Sequence, residues 1–218
     1  MTTALMAETG GGFHDLALSP ELLAALDRVG YREPTPIQSA FIPEALSGRD
    51  VIGQAQTGTG KTAAFLLPFL NRWRDVNAPG PQAIILAPTR ELVVQVAEES
   101  ARLTPNKNCR TLAIYGGQRF RSQLAGLKRG VSIVVGTPGR VLDHLSRGTL
   151  QLDAVRYVVL DEADRMLDIG FRPDIERILR RCPLDRQTLL LSATVPPPVS
   201  AISAVVKQTS SMPTRDSR

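Results

Sequence analysis

Beyond residue 50 the chain repeats one pattern, a short apolar run without polar alternation followed by a stretch of helical length. DVIGQ precedes AAFLLPFLNRW, QAIILA precedes ELVVQVAEESARL, RTLAIY precedes FRSQLAGLK, and SIVVG precedes RVLDHLS; VRYVVL, PDIERILRR and QTLLLS complete the series. Runs of Val, Ile and Leu with no polar face suit strands buried on both sides, and helical connections of this length suit parallel crossovers. The predicted fold class is therefore α/β, an open, mostly parallel sheet with helices on both faces. In such sheets ligands gather beyond the carboxyl ends of the strands. The polar and glycine-rich clusters fall at those ends: GQAQTGTGKT, APTRE, YGGQ, GTPGR, LDEAD and SAT, in that order.

Ahead of the first of these strands, SPELLAALDRVG reads as a helix with Ser19 as N-cap, Pro20 at the first helical position and Gly30 at its end. REPTPIQ then leads into a second, short helix. After SAT, VPPPVSAISAVVKQ allows one last helix, and TSSMPTRDSR has no apolar periodicity. The expected organisation is a flexible leader over 1–12, one domain over 13–206 and a disordered tail over 207–218. At 218 residues, 43% apolar and 22% charged, the chain suits one well-buried domain.

No run approaches the ~18 residues that cross a bilayer, and the leader lacks a basic start and an apolar centre, so a cytoplasmic protein is expected. Cys109 and Cys182 stand far apart without C-x-x-C company, which argues against a disulfide scaffold or a zinc site. His14 and His144 belong to no motif, Trp73 reads as packing at a helix edge, and Arg180-Arg181 reads as a charged helix end. A net charge of +5 leaves room for a polyanionic partner.

The chemistry starts at Ala55-Gln56-Thr57-Gly58-Thr59-Gly60-Lys61-Thr62, a phosphate-loop pattern with alanine where its first glycine belongs. The glycines let backbone N–H groups point at phosphate oxygens, and the following helix adds its positive end. Lys61 can reach the β- and γ-phosphates, and the Thr62 hydroxyl can ligate Mg²⁺. Ala55 is tolerable there if its φ is negative and a neighbour makes the turn. Tyr157-Val158-Val159-Leu160 then delivers Asp161 and Glu162, a Walker B arrangement: one carboxylate for Mg²⁺, the other to orient or deprotonate water.

Asp161-Glu162-Ala163-Asp164 spells DEAD, and the chain resembles the first RecA-like domain of DEAD-box RNA helicases over residues 13 to 195. That family's phosphate loop carries alanine at its first position. The resemblance implies a RecA-like P-loop fold, ATP and Mg²⁺ as cofactors, and RNA as partner. It makes Gly30 to Gln38 a Q motif, with Phe13 as its upstream aromatic, Tyr31 against the adenine face, Arg32 and Thr35 alongside, and Gln38 on the adenine edge. It makes Pro88, Thr89 and Arg90 motif Ia, Gly116 and Gly117 the GG motif, and Thr137, Pro138, Gly139 and Arg140 motif Ib, all holding an RNA backbone. Ser192 and Thr194, in SAT, would link to Asp164 and couple nucleotide state to RNA grip.

The family's clamp also needs a second RecA-like domain carrying an H-R-x-G-R-x-x-R string, and these 218 residues contain no such string. The expectation is an ATP- and RNA-binding half that turns ATP over slowly or not at all by itself. The alternatives are a regulatory nucleotide-binding module without catalysis and a DNA-directed helicase core.

Overall fold

A computed structural model describes residues 2–4, 11–56, 58–74, 78 and 80–194. Thr57, the helix expected after SAT and the tail expected from residue 207 lie outside these residues. The strands are β1 (Thr2–Ala4), β2 (Val51–Gln54), β3 (Ala83–Leu86), β4 (Thr111–Ile114), β5 (Ile133–Gly136), β6 (Tyr157–Leu160) and β7 (Gln187–Ser192). The helices are α1 (Pro20–Val29), α2 (Pro36–Leu46), α3 (Lys61–Arg72), α4 (Arg90–Leu103), α5 (Phe120–Lys128), α6 (Pro138–Ser146), α7 (Ala163–Asp168) and α8 (Arg172–Leu179).

The strands form one sheet in the order β1-β2-β7-β6-β3-β5-β4. Every pairing is parallel, so the mostly parallel sheet of the sequence reading is parallel throughout. Thr2–Ala4, within the stretch expected as a flexible leader, pairs with Val51–Gly53 and extends the sheet beyond β2.

The apolar runs divide residue by residue between the two faces, as the pleat requires. Val51, Ile85, Val135, Val159, Leu189 and Leu191 pack under α1 to α4 in one core. Ile52, Ile84, Leu86, Val134, Val158, Leu160 and Leu190 face the other core, with Val141 of α6, Met166 of α7 and Ile175 and Ile178 of α8. In the middle of these runs, as at Ile84, Ile85, Val134, Val158, Val159 and Leu190, both sequence neighbours are apolar, so a one-residue slip there would exchange one apolar face for the other. Register must therefore come from the crossovers and the loops.

The punctuation read from the sequence holds at α1. Ser19 Oγ accepts from the Leu22 N–H at 3.4 Å, Pro20 occupies the first turn, and Gly30 ends the helix at φ 86°. Left-handed backbone at that point carries little penalty only for glycine. Trp73 caps the end of α3 and is buried, as its place at a helix edge suggested.

Sheet order decides what stands beside what. β7 lies between β2 and β6, with Gln54 opposite Ser192 and Leu160 opposite Leu190. The loops after β2, β7 and β6 thus form one contiguous group, and those after β3, β5 and β4 form the next.

Candidate nucleotide site and nucleic-acid groove

The loop after β2 leaves the sheet without strain at its first position. Ala55 has no positive φ, and its N–H continues the ladder to the Ser192 carbonyl at 3.0 Å. The turn is made by Gly58 and Gly60, at φ 83° and 90°, and Thr59 Oγ1 ties it by donating to the Gln56 carbonyl at 2.7 Å. Alanine serves at position 55 because the left-handed residues come later in the loop.

Gln38, only 1% exposed, fastens this loop to α2. Its Oε1 accepts from the Thr35 N–H at 2.9 Å, and its Nε2 donates to the Gly60 carbonyl at 3.1 Å. A Cβ at Gly60 would stand 2.5 Å from Gln38 Nε2, so the glycine is required by space as well as by φ. Tyr31, expected against a ligand, donates its hydroxyl to Glu99 Oε1 at 2.7 Å and meets Phe13 edge-on with ring centroids 6.1 Å apart. Burial and the Glu99 bond push its phenol well above the ordinary value. Phe13 itself is buried, whereas Arg32 is exposed.

Lys61 opens α3 from within the fold. It is 6% exposed, and its Nζ has no hydrogen-bond partner. Asp161, at the end of β6, is 2% exposed. Burial pushes its carboxyl up to about 6, against the pull of the Lys61 charge, and Glu162 and Asp164 add to the rise. An unpartnered buried ammonium beside a desolvated carboxylate is costly unless a charged ligand completes it. Thr62 is half-buried in the same first turn. These residues fit a polyphosphate with its divalent cation.

Glu162 is held in the left-handed region, φ 50° and ψ 51°, where a non-glycine residue costs about 1–3 kcal/mol. Its N–H donates to Asp161 Oδ1 at 3.0 Å, and its carboxylate pairs with Arg165 at 3.3 Å. The next carboxylate reaches the loop after β7: Asp164 Oδ2 accepts from the Thr194 N–H at 2.9 Å and from Thr194 Oγ1 at 3.0 Å. The Asp164 N–H donates to Ser192 Oγ at 3.2 Å. Burial raises the Asp164 carboxyl, but the bonds from Thr194, Arg165 and Ser192 outweigh it and leave the group below its ordinary value.

The second group of loops forms a shallow groove of about 360 Å³, lined by Pro88, Thr89, Arg90, Glu91, Gly116, Thr137 and Phe171. Thr89 caps α4, its hydroxyl accepting from the Leu92 N–H at 3.3 Å. Gly117 has φ 86°, and a Cβ there would lie 2.4 Å from Arg90 Nη1, so the guanidinium rests on that glycine. Gly139 is exposed and Pro138 buried in the first turn of α6.

Arg140 differs from the sequence reading, which aimed its charge at a ligand. It turns inward, donating to the Gln118 carbonyl at 3.2 Å and to Gln123 Oε1 at 3.3 Å. Gln123, 1% exposed, fills all its hydrogen-bonding directions: Nε2 donates to the Tyr115 carbonyl and to Gln118 Oε1, both at 2.9 Å, while Oε1 also meets His144 Nε2 at 3.0 Å. His144, left without a role by the sequence reading, is fully buried, bonds Thr149 Oγ1 at 2.9 Å and stacks on Phe120 at 4.3 Å. The signal for this pair was present. Phe120, Gln123, Leu124 and Leu127 share one stripe of α5, and Val141, His144 and Leu145 one stripe of α6; a polar residue on an apolar stripe is a buried polar residue that needs partners. Phe171, at the start of α8, carries no signal in the sequence, since only the packing of α8 brings it to the groove.

The model of the DEAD/DEAH box helicase family matches residues 35–202. The chain belongs to that family. Among curated relatives it is 52% identical over 191 residues to the DEAD-box ATP-dependent RNA helicase CshA of Geobacillus kaustophilus, covering 88% of this chain and 41% of that protein. It is 54% identical over 190 residues to the ATP-dependent RNA helicase CshA of Limosilactobacillus reuteri, covering 87% of this chain and 38% of that one. The structure of a DEAD box protein from Methanococcus jannaschii superposes with a TM-score of 0.85 at 45% identity, over 90% of this chain and 54% of that chain. The fold is thus the RecA-like helicase domain, and the chain spans about two-fifths of the curated relatives it matches. No helix among the described residues is long and apolar enough to cross a membrane.

Proposed function

We propose that this chain is the ATP- and RNA-gripping half of a DEAD-box ATP-dependent RNA helicase. The observation that carries the reading is the buried, unpartnered Lys61 ammonium between the Gly58–Gly60 turn and Asp161. A cation held there in advance costs no reorganisation when a triphosphate arrives.

In this reading Lys61 and the N–H groups of the loop hold the β- and γ-phosphates. Gln38 keeps its bond to Gly60 and has a second N–H and a second lone pair for the adenine edge, so base identity and loop position are sensed by one amide. Thr62 and Asp161 would hold Mg²⁺, which neutralises phosphate charge when bound. Glu162 positions and deprotonates the attacking water from its strained backbone. Ser192 and Thr194 register the state of the DEAD segment through Asp164. The capped start of α4, Gly116 and Gly117, and the start of α6 hold successive phosphates of one RNA strand. Arg140 contributes by fixing the GG loop.

Turnover at full rate calls for an arginine donated to the transferring phosphate, a group worth roughly 10³ to 10⁵ in rate in phosphoryl-transfer enzymes. We assign it to a second RecA-like domain of the whole protein, a reading supported by the share of the relatives' length that this chain spans. By itself the chain should bind ATP or ADP weakly and show little RNA-stimulated hydrolysis.

The test is calorimetric titration of the chain with ADP and Mg²⁺, wild type against Lys61→Ala. Loss of binding in the variant at an unchanged melting temperature supports the site, and equal affinities overturn it.

A further inference from the structure

No aspartate or glutamate occurs between Glu99 and Asp143, a stretch that carries eight of the chain's 26 lysines and arginines. With those eight set aside, the remaining 18 cations are outnumbered by the 21 carboxylates, so the whole positive excess resides here. The fold gathers this stretch at one border of the sheet, where β4 is the last strand and α5 packs beside it.

Lys107, Arg110, Arg119, Arg121, Lys128 and Arg129 are all exposed, and none forms an ion pair with a described residue. Arg121 and Lys128 stand two turns apart on one stripe of α5. Lys107, Arg110 and Arg129 converge on a groove of about 520 Å³ whose lining includes no carboxylate. A helix C-terminus by itself favours cations, which accounts for Lys128 and Arg129 and leaves the other four unexplained.

The placement is directional. β4 ends next to Gly116 and Gly117, in the second group of loops, while the 520 Å³ groove lies at its start, against Thr111 and Leu112. Arg119 and Arg121 flank the near end of α5, and Lys128 and Arg129 the far end. Nine helical residues span roughly 13 Å, long enough for more than one backbone phosphate of a single strand.

We propose that this border is a second nucleic-acid contact, a phosphate track that takes the strand as it leaves the RNA groove and carries it along α5 to Lys107, Arg110 and Arg129. The proposal rests on the RNA reading of the groove for where the strand enters. It differs in chemistry: the groove holds the backbone through caps and glycine N–H groups, whereas the track reads phosphate charge alone. It adds affinity that depends on strand length and salt, without base preference, and accepts RNA and single-stranded DNA alike.

The test uses the 218-residue chain and end-labelled oligouridylates of about 6 and about 16 nucleotides, within the range of single-strand site sizes, followed by fluorescence polarisation across a salt series. The triple variant Lys107→Ala, Arg110→Ala, Arg129→Ala alters only exposed side chains. For the longer RNA the slope of log K against log salt should flatten by about two, near 0.7 per cation lost, while the shorter RNA is bound as by wild type. An unchanged slope for the longer strand, or an equal loss for both lengths, overturns the track. If wild type binds only the longer strand and the variant loses it, the track stands and the groove reading falls. A polyglutamate peptide that binds wild type and not the variant, with RNA failing to compete, assigns the surface to an acidic protein and overturns the proposal.

Discussion

At the level of single residues, three positions in the phosphate loop do different work and should respond differently to substitution. Ala55 has no positive φ, so Ala55→Gly gains nothing in the turn and frees the unfolded chain. A loss of about 0.5–1 kcal/mol is expected in denaturant titration, with ADP affinity unchanged. Gly60→Ala meets both a φ of 90° and Gln38 Nε2 at 2.5 Å. It should displace Gln38 and lower ADP affinity more than tenfold, which is about 1.4 kcal/mol or more by calorimetry. Gly58→Ala meets a φ of 83° and open space, and should show a backbone penalty with a much smaller loss of binding. The motif is legible in the sequence, but which glycine is required by space is not, because Gln38 reaches Gly60 only across α2 and α3.

At the level of elements, the cross-links are polar groups that join loops far apart in the chain. Asp164 depends on Thr194 across 30 positions. Its carboxyl lies below the ordinary value, so its share of stability is complete above about pH 4 and is lost as pH falls through the folded value. In Thr194→Val one of those bonds goes, and the Asp164 titration followed by carbon NMR should move up towards about 3.9. The α5–α6 link behaves in the same sense with a different group. Burial, then the charges of Arg140 and Arg147, hold His144 below its usual value against the opposing pull of Asp143. The unfolded chain therefore takes up a proton first, and stability present above about pH 6.5 falls as pH drops below it. His144→Gln should flatten that slope between pH 7 and 5 in chemical denaturation. Gln123→Leu would take one hydrogen-bond partner each from the Tyr115 carbonyl, Gln118, Arg140 and the buried His144. At about 1–3 kcal/mol for each group left unsatisfied, it should cost several kcal/mol in the same assay and loosen the GG loop.

At the level of the whole molecule, the sheet sorts the clusters into two neighbourhoods, β2-β7-β6, proposed for the nucleotide, and β3-β5-β4, proposed for the strand. If the halves act as proposed, Glu162→Gln in the complete two-domain protein should retain ATP and RNA binding and lose turnover, read as phosphate release in the presence of RNA. Wild-type turnover in that variant would remove Glu162 from its proposed role. The α/β class, the capped ends of α1 and the placement of six motifs, from the phosphate loop to SAT, at the carboxyl ends of strands follow from the sequence by itself. Apolar period, helix caps and glycine punctuation are local, and each is set by residues within about two turns of one another. What only the tertiary structure decided is adjacency. SAT, the last motif in the chain, stands between the loop after β2 and DEAD because β7 inserts between β2 and β6, and the centres of those strands are so apolar on both faces that no pattern along them could announce their neighbours. The inward turn of Arg140, the burial of His144 and the gathering of the acid-free stretch at the β4 border have the same cause: each depends on which surfaces the crossovers bring together.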